Sequence, residues 1–180
     1  MSFTVEKSKT IVSAEEGSYL GTLVTLADLG VQSRGTYKGE KLPDAPLVGM
    51  QFELTLDDGS KSLIWKEVLK SGHPQSTLHS YAVALLGGGS KAEAELSGGI
   101  KSDSLIGKSV VVTVGLTSGG KPKVVSLTPL RKGEALPEVK AELLVFSASK
   151  PDEEVLAKLP KFVQAKLGVK LDKEDSEVDF

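Results

Sequence analysis

The feature that most constrains the fold is the alternation of apolar and polar residues between positions 48 and 56. The apolar positions are Val48, Met50, Phe52, Leu54 and Leu56, and the polar positions between them are Gln51, Glu53 and Thr55. Because successive side chains of a strand point to opposite faces, this pattern predicts a strand with one buried face and Phe52 in the core. An Asp-Gly turn in residues 57–60 then predicts that Lys61 to Val68 returns as its hairpin partner.

The rest of the first 130 residues completes a mainly β architecture. β-branched and apolar residues predict strands over 18–28, 108–116 and 122–130, and a helical apolar spacing predicts a helix over 75–86 that three glycines end. Residues 30–46 lack a period and predict a long loop. The order β-β-β-α-β-β is that of a five-stranded OB-fold barrel with a helix between strands 3 and 4.

The C-terminal part of the sequence is less regular. Leu143 to Phe146 has the composition of a sixth strand, and Asp152 to Leu167 has the spacing of a helix that Pro160 interrupts. We therefore predict an OB-fold domain over 1–130, a short α/β extension that packs on the barrel over 131–169, and a disordered acidic tail over 170–180.

The composition is typical of a soluble globular protein. Hydrophobic residues make up 39% and charged residues 26% of the chain, and no apolar run has the length needed to span a bilayer. The first residues lack the basic and apolar regions of a secretory signal, and the chain has no cysteine. We expect a cytoplasmic protein with no membrane contact, no disulfide and no thiolate metal site.

Charge is distributed unevenly along the chain. Residues 172–180 hold five of the 24 acids and one of the 22 basic groups, which leaves 19 acids and 21 basic groups and a formal charge of about +2 elsewhere. Such an acidic segment buries too little surface to offset its ordering entropy, so we expect it to be disordered. Flexible acidic tails are usually interaction elements or simply solvated ends. The residues expected to bind partners are Asp172, Glu174, Asp175, Glu177, Asp179 and Phe180.

No set of residues has the pattern of a catalytic centre. His73 and His79 are six residues apart and lack the helical spacing of a zinc pair, and the glycine run before Ser90-Lys91 lacks the Gly-Lys-Ser/Thr ending of a P-loop. We therefore predict a protein that is not an enzyme and that uses no metal and no cofactor.

Single-strand nucleic-acid binding fits the sequence better, because it needs only cations along the backbone path and aromatic faces for stacking. The loop between the first two long strands and the loop between the fourth and fifth are the ligand loops of an OB-fold. Both loops are basic here, and the third strand adds the single tryptophan. The predicted contacts are Arg34, Tyr37, Lys38, Lys41, Trp65, Lys66, Lys121 and Lys123. Whether Trp65 lies in the core or in the groove stays open at this point, as does an incidental role for the loop tyrosine.

With these features assembled, the chain resembles bacteriophage single-stranded DNA-binding proteins. The similarity is carried by the acidic segment that ends in phenylalanine, by residues 17–24 and 28–32, and by Phe52-Glu53-Leu54. It departs from the bacterial proteins of this kind at Val178-Asp179-Phe180, where those end in Ile-Pro-Phe.

The resemblance implies sequence-independent binding and protection of single-stranded DNA in phage replication or recombination, in the host cytoplasm. It also implies that the tail recruits phage or host replication and recombination proteins and competes with DNA for the groove. Two alternatives stay open: a non-catalytic protein-interaction module, such as a phage adaptor or host-enzyme inhibitor, and single-stranded RNA binding. Monomer and dimer are both compatible with the sequence.

Overall fold

The chain is mainly β, as predicted, and its computed structural model describes residues 14–131 and 133–168. The strands of this part are β1 (Gly17–Gln32), β2 (Thr36–Tyr37), β3 (Glu40–Lys41), β4 (Ala45–Thr55), β5 (Lys61–Leu69), β6 (Ser109–Leu116), β7 (Pro122–Thr128) and β8 (Leu144–Ser147). The helices are α1 (Thr77–Leu85), α2 (Gly89–Glu95), α3 (Ser102–Leu105), α4 (Glu153–Lys158) and α5 (161–168), with a 3-10 turn at Leu96–Gly98. None of the helices in these two ranges is long and apolar enough to cross a membrane.

β1 organises the main sheet, whose strand order is β5-β4-β1-β6-β7. It pairs antiparallel with β4 along nearly its whole length and with β6 over its first six residues. Beyond the pairing with β6, which stops at Thr22, β8 runs parallel to β1 from Thr25 to Asp28. Two irregularities in the β1–β4 register, after Leu23 and after Asp28, allow so long a strand to bend.

The predicted strands and helix occur in the predicted order, with different bounds at the long loop. β1 continues to Gln32 because Val31 and Gln32 pair with Pro46 and Ala45 of β4. The segment predicted to be irregular over 30–46 is therefore shorter, and it contains the small antiparallel hairpin β2–β3. The extension of β1 is not visible in a local pattern, since it depends on a pairing partner elsewhere in the chain.

The sheet is not closed in the described part of the chain. Its two end strands, β5 and β7, come within 8 Å of each other between Cα atoms, but no strand pairing joins them. The prediction of a mainly β protein is thus confirmed, and the sheet observed is an open one of six strands.

The inner face of the sheet forms the larger core. Met50, Phe52 and Leu54 are fully buried there, as the alternation predicted, and α1 packs on this cluster through Leu78 and Tyr81. Burial raises the pKa of the Tyr81 hydroxyl. α1 begins at an N-cap, where the Ser76 hydroxyl accepts a hydrogen bond from the His79 N–H at 3.1 Å.

A second core lies on the outer face of the sheet, where the C-terminal helices cover it. Its buried members are Ala27, Leu29, Leu47, Phe146, Leu159, Val163 and Leu167. The helical region breaks at Pro160, as predicted, because proline cannot continue the hydrogen-bonding of α4. The Asp152 carboxylate caps α4 and accepts the Glu154 N–H at 2.9 Å. The C-terminal residues thus build a core with β1 and β4 rather than a separate unit.

The segment between β7 and β8 is tied to the outer face by one carboxylate. Glu53 is 4% exposed and accepts hydrogen bonds from the backbone N–H groups of Lys140 and Ala141, at 2.9 and 2.6 Å. The alternating pattern places Glu53 on the polar face of its strand, and that face is covered here by the chain itself. The outer face of β4 is consequently closed to solvent along much of its length.

Candidate nucleic-acid interface

The hairpin formed by residues 34–41, hereafter the basic hairpin, projects from the end of β1. Its two short strands meet at a turn in which Lys38 has φ +52° and Gly39 φ +81°. Two positive φ values at the centre of a two-residue loop are typical of the type I′ turn, whose twist suits a β-hairpin. A hydrogen bond from the Leu42 N–H to the Gly35 carbonyl, 2.9 Å long, closes its base.

The basic hairpin carries half of the predicted contact residues. Tyr37 is 62% exposed, and the Lys38 Nζ lies 5.4 Å from the centroid of its ring. Lys41 is exposed and Arg34 partly exposed on the same hairpin, and Glu40 is its single acid. An exposed ring flanked by cations can stack on a base while the cations pair with phosphates.

Trp65 and Lys66 point to opposite faces of β5. Lys66 shares its face with the core residues Ile64 and Val68, whereas Trp65 lies over Gly49 on the outer face. The Trp65 ring is half-buried and meets Phe162 of α5 edge to face, with 5.8 Å between ring centroids. The alternative that the sequence left open is thus answered in part, because Trp65 packs against the second core and not the first.

The surface around Trp65 includes an ion pair between Glu67 and Lys166. The Glu67 carboxylate accepts hydrogen bonds from Trp65 Nε1 at 3.2 Å and from Lys166 Nζ at 2.8 and 3.0 Å. Phe162 itself is 51% exposed, and Lys161 beside it is exposed as well. Val163 and Leu167 of α5, and Leu159 just before it, are buried at a spacing of four residues. This spacing leaves Phe162 off the buried face of α5, a signal that the sequence already contained.

Lys121 and Lys123 lie at the other end of the sheet from the basic hairpin. They flank Pro122 on the β7 side of the turn between β6 and β7, which the register places beside the first residues of β1. Lys121 lines a crevice together with Glu15 and Glu16, so acids neighbour this lysine. The structure therefore gathers four predicted contacts on the basic hairpin and leaves these two lysines at the opposite end of β1.

A cleft of about 470 Å³ opens between the second half of β1, β8 and α3. Its floor is apolar, with Leu26, Val48 and Leu105 among the lining residues. At its rim Lys70 Nζ forms an ion pair with the Asp28 carboxylate at 2.6 Å. Asp28 lies within β1, four residues before its end at Gln32, and Lys70 directly follows the end of β5 at Leu69.

The two histidines have partners within the fold. His79 is buried, and its Nε2 lies 2.9 Å from the Glu93 carboxylate. His73 is exposed, and its Nδ1 accepts the Gln75 N–H at 3.1 Å. Across residues 14–131 and 133–168, no three His, Asp or Glu side chains come together in a way that could hold a metal ion.

The acidic segment lies outside the described residues, so the predicted partner-binding residues Asp172 to Phe180 have no structural account. No family model matches the sequence, and no curated protein matches it either.

Proposed function

We propose that this protein binds single-stranded DNA without sequence preference, and that the basic hairpin is a principal contact. The observation that carries the proposal is the exposed ring of Tyr37, 62% accessible, with the Lys38 ammonium 5.4 Å from its centroid. An aromatic ring at the tip of a hairpin contributes little to a core, whereas a base stacked on it contributes about 1–3 kcal/mol.

We further propose that the open sheet is a variant of the OB-fold. The strand order around β1, the helix between the third and fourth long strands, and the approach of β5 to β7 support this assignment. The basic hairpin then occupies the loop between the first two barrel strands, a ligand loop of that fold. Protection of exposed strands during phage replication or recombination is the role that follows, and residues 172–180 would recruit partner enzymes.

A salt titration with a labelled oligomer tests the proposal. Fluorescence anisotropy with a dT oligomer should report binding whose affinity falls steeply between about 50 and 200 mM salt, since each phosphate contact releases counterions. Undetectable binding at low salt would reject single-strand binding and favour the alternative of a protein-interaction module. Competition with a matched RNA oligomer decides between DNA and RNA, because the 2′-hydroxyl is the group that distinguishes them.

A further inference from the structure

We infer a second stacking surface for the single strand, formed by Phe162 and the edge of Trp65 on the outer face of β5. This inference rests on the proposed function and adds to it a contact on α5, a helix that lies outside the β-β-β-α-β-β region. Hereafter these two residues are the aromatic pair.

The aromatic pair is held in a fixed arrangement. The rings meet at 90° with centroids 5.8 Å apart, and Trp65 rests on Gly49, which has no side chain to compete for the space. Val163 and Leu167 anchor α5 in the second core at 0% and 1% exposure. Phe162 is 51% exposed, so part of its side chain is accessible to a base although its helix is firmly packed.

Charge on this surface suits a polyanion. Lys161 precedes Phe162 and is exposed, and Lys166 lies one helical turn beyond it. The outer-facing residues of β5 include one acid, Glu67, and its carboxylate is already engaged by Lys166 and Trp65. A phosphate next to Phe162 would therefore meet the exposed Lys161 rather than an unpaired carboxylate of β5.

The aromatic pair also lies on the strand whose far end pairs with the start of β4, the strand that follows the basic hairpin. From Trp65 the outer face of β5 runs about 13 Å to Leu69, at the strand rise of about 3.3 Å per residue. Leu69 is 42% exposed and pairs with Leu47, near the start of β4, where that strand leaves the hairpin. Lys70 follows with a side chain that is 54% exposed. Between the two surfaces lie Glu67, which is paired with Lys166, the exposed Leu69, and Lys70, which is paired with Asp28.

Binding of a dT oligomer by the full chain and by Phe162→Leu tests the second surface. Leucine keeps an apolar cover over Trp65 but removes the flat ring, so we expect affinity to fall about fivefold or more, which corresponds to about 1 kcal/mol of lost stacking. Leu136→Ala, which removes a leucine that is 73% exposed elsewhere, is the matched control and should bind as the unmodified chain does.

Two further readouts keep the test independent of folding defects. Trp65 is the single tryptophan, so its emission should be quenched when the oligomer binds. An oligomer carrying 5-iododeoxyuridine should photocrosslink to the peptide that contains Phe162 in the unmodified chain. The second surface is overturned, while the proposed function stands, if the oligomer binds and Tyr37→Ala lowers its affinity but three results are negative. These are an unchanged affinity in Phe162→Leu, an unquenched Trp65 emission and no crosslink to the peptide that contains Phe162. If the unmodified chain binds no oligomer, both are overturned.

Discussion

Tyr37 is exposed because of the turn that carries it. A hairpin of two-residue strands has no room for a core of its own, and the Tyr37 ring near its tip is 62% exposed with the Lys38 ammonium beside it. Lys38 beside it adopts a left-handed conformation that most residues avoid, at φ +52°. The local geometry therefore sets both the accessibility of the ring and the position of its cation.

Replacing Tyr37 tests stacking at the scale of one residue. Tyr37→Ala should weaken dT binding by about 5- to 150-fold, the equivalent of about 1–3 kcal/mol for one stacked base. Tyr37→Phe keeps the aromatic face and should bind nearly as tightly as the unmodified chain. Anisotropy titrations at one salt concentration measure both, and equal losses in the two variants would show that the hydroxyl matters and not the ring.

Gly49 is required by the ring that lies on it. A Cβ at this position would come 2.1 Å from Trp65 Cζ2 and 2.6 Å from Cη2, so the indole would have to move. Gly49→Ala should lower the free energy of unfolding by about 1–3 kcal/mol, as overpacked substitutions do. Urea denaturation followed by Trp65 emission measures the loss.

Gly72 supplies the control for this substitution. A Cβ there would meet no atom within 4 Å and the backbone φ is not in the left-handed range, so Gly72→Ala should leave stability nearly unchanged. Equal effects of the two alanine substitutions would contradict the contact between Gly49 and Trp65.

At the scale of secondary-structure elements, the outer face of the sheet is shaped by the C-terminal segment. β8 extends the sheet beside β1, α5 fills the second core, and the residues between β7 and β8 are held by the Glu53 carboxylate. Strand periodicity predicts which β4 residues share a face, but it does not reveal that both faces of this strand are covered. A polar residue on the outer face is therefore read as solvent-exposed until its partners are known.

Glu53→Ala should release the segment between β7 and β8. The substitution leaves two backbone N–H groups without their acceptor, and hydrogen bonds to a charged group contribute about 1.5–3 kcal/mol. We expect a loss of stability of that order and faster proteolysis between residues 131 and 143. Glu138→Ala, which removes an exposed acid of the same segment, serves as the control, and a similar proteolysis rate in both variants would refute the role of Glu53.

At the scale of the whole molecule, residues 1–171 and residues 172–180 carry net charges of opposite sign. Residues 1–171 carry a formal charge of about +2, and residues 172–180 carry about −4. A tethered polyanion competes with DNA for a basic surface when ionic strength is low, and screening removes the competition as salt rises.

Deleting residues 172–180 should therefore tighten dT binding at low salt and leave it unchanged at high salt. A chain in which the five acids are replaced by their amides keeps the length of the segment and should behave as the deletion does. Phe180→Ala should leave the affinity nearly unaltered, because it changes no side-chain charge. Equal affinities of the full-length and shortened chains at low salt would reject competition by the tail.

The sequence by itself determined the order of the elements, the buried face of β4, the helix after β5 and the break at Pro160. These depend on periodicity and on proline chemistry, which act between neighbouring residues. It also pointed to the basic hairpin, since cations and a tyrosine lie close together in the chain.

Only the tertiary structure decided that β1 runs to Gln32, that the sheet stays open between β5 and β7, and that Trp65 packs beneath Phe162. It also decided which of the two neighbours Trp65 and Lys66 shares a face with the first core, and that Lys121 lies at the opposite end of β1 from Tyr37. Each of these depends on contacts between residues far apart in the chain, whose register and packing no local pattern encodes.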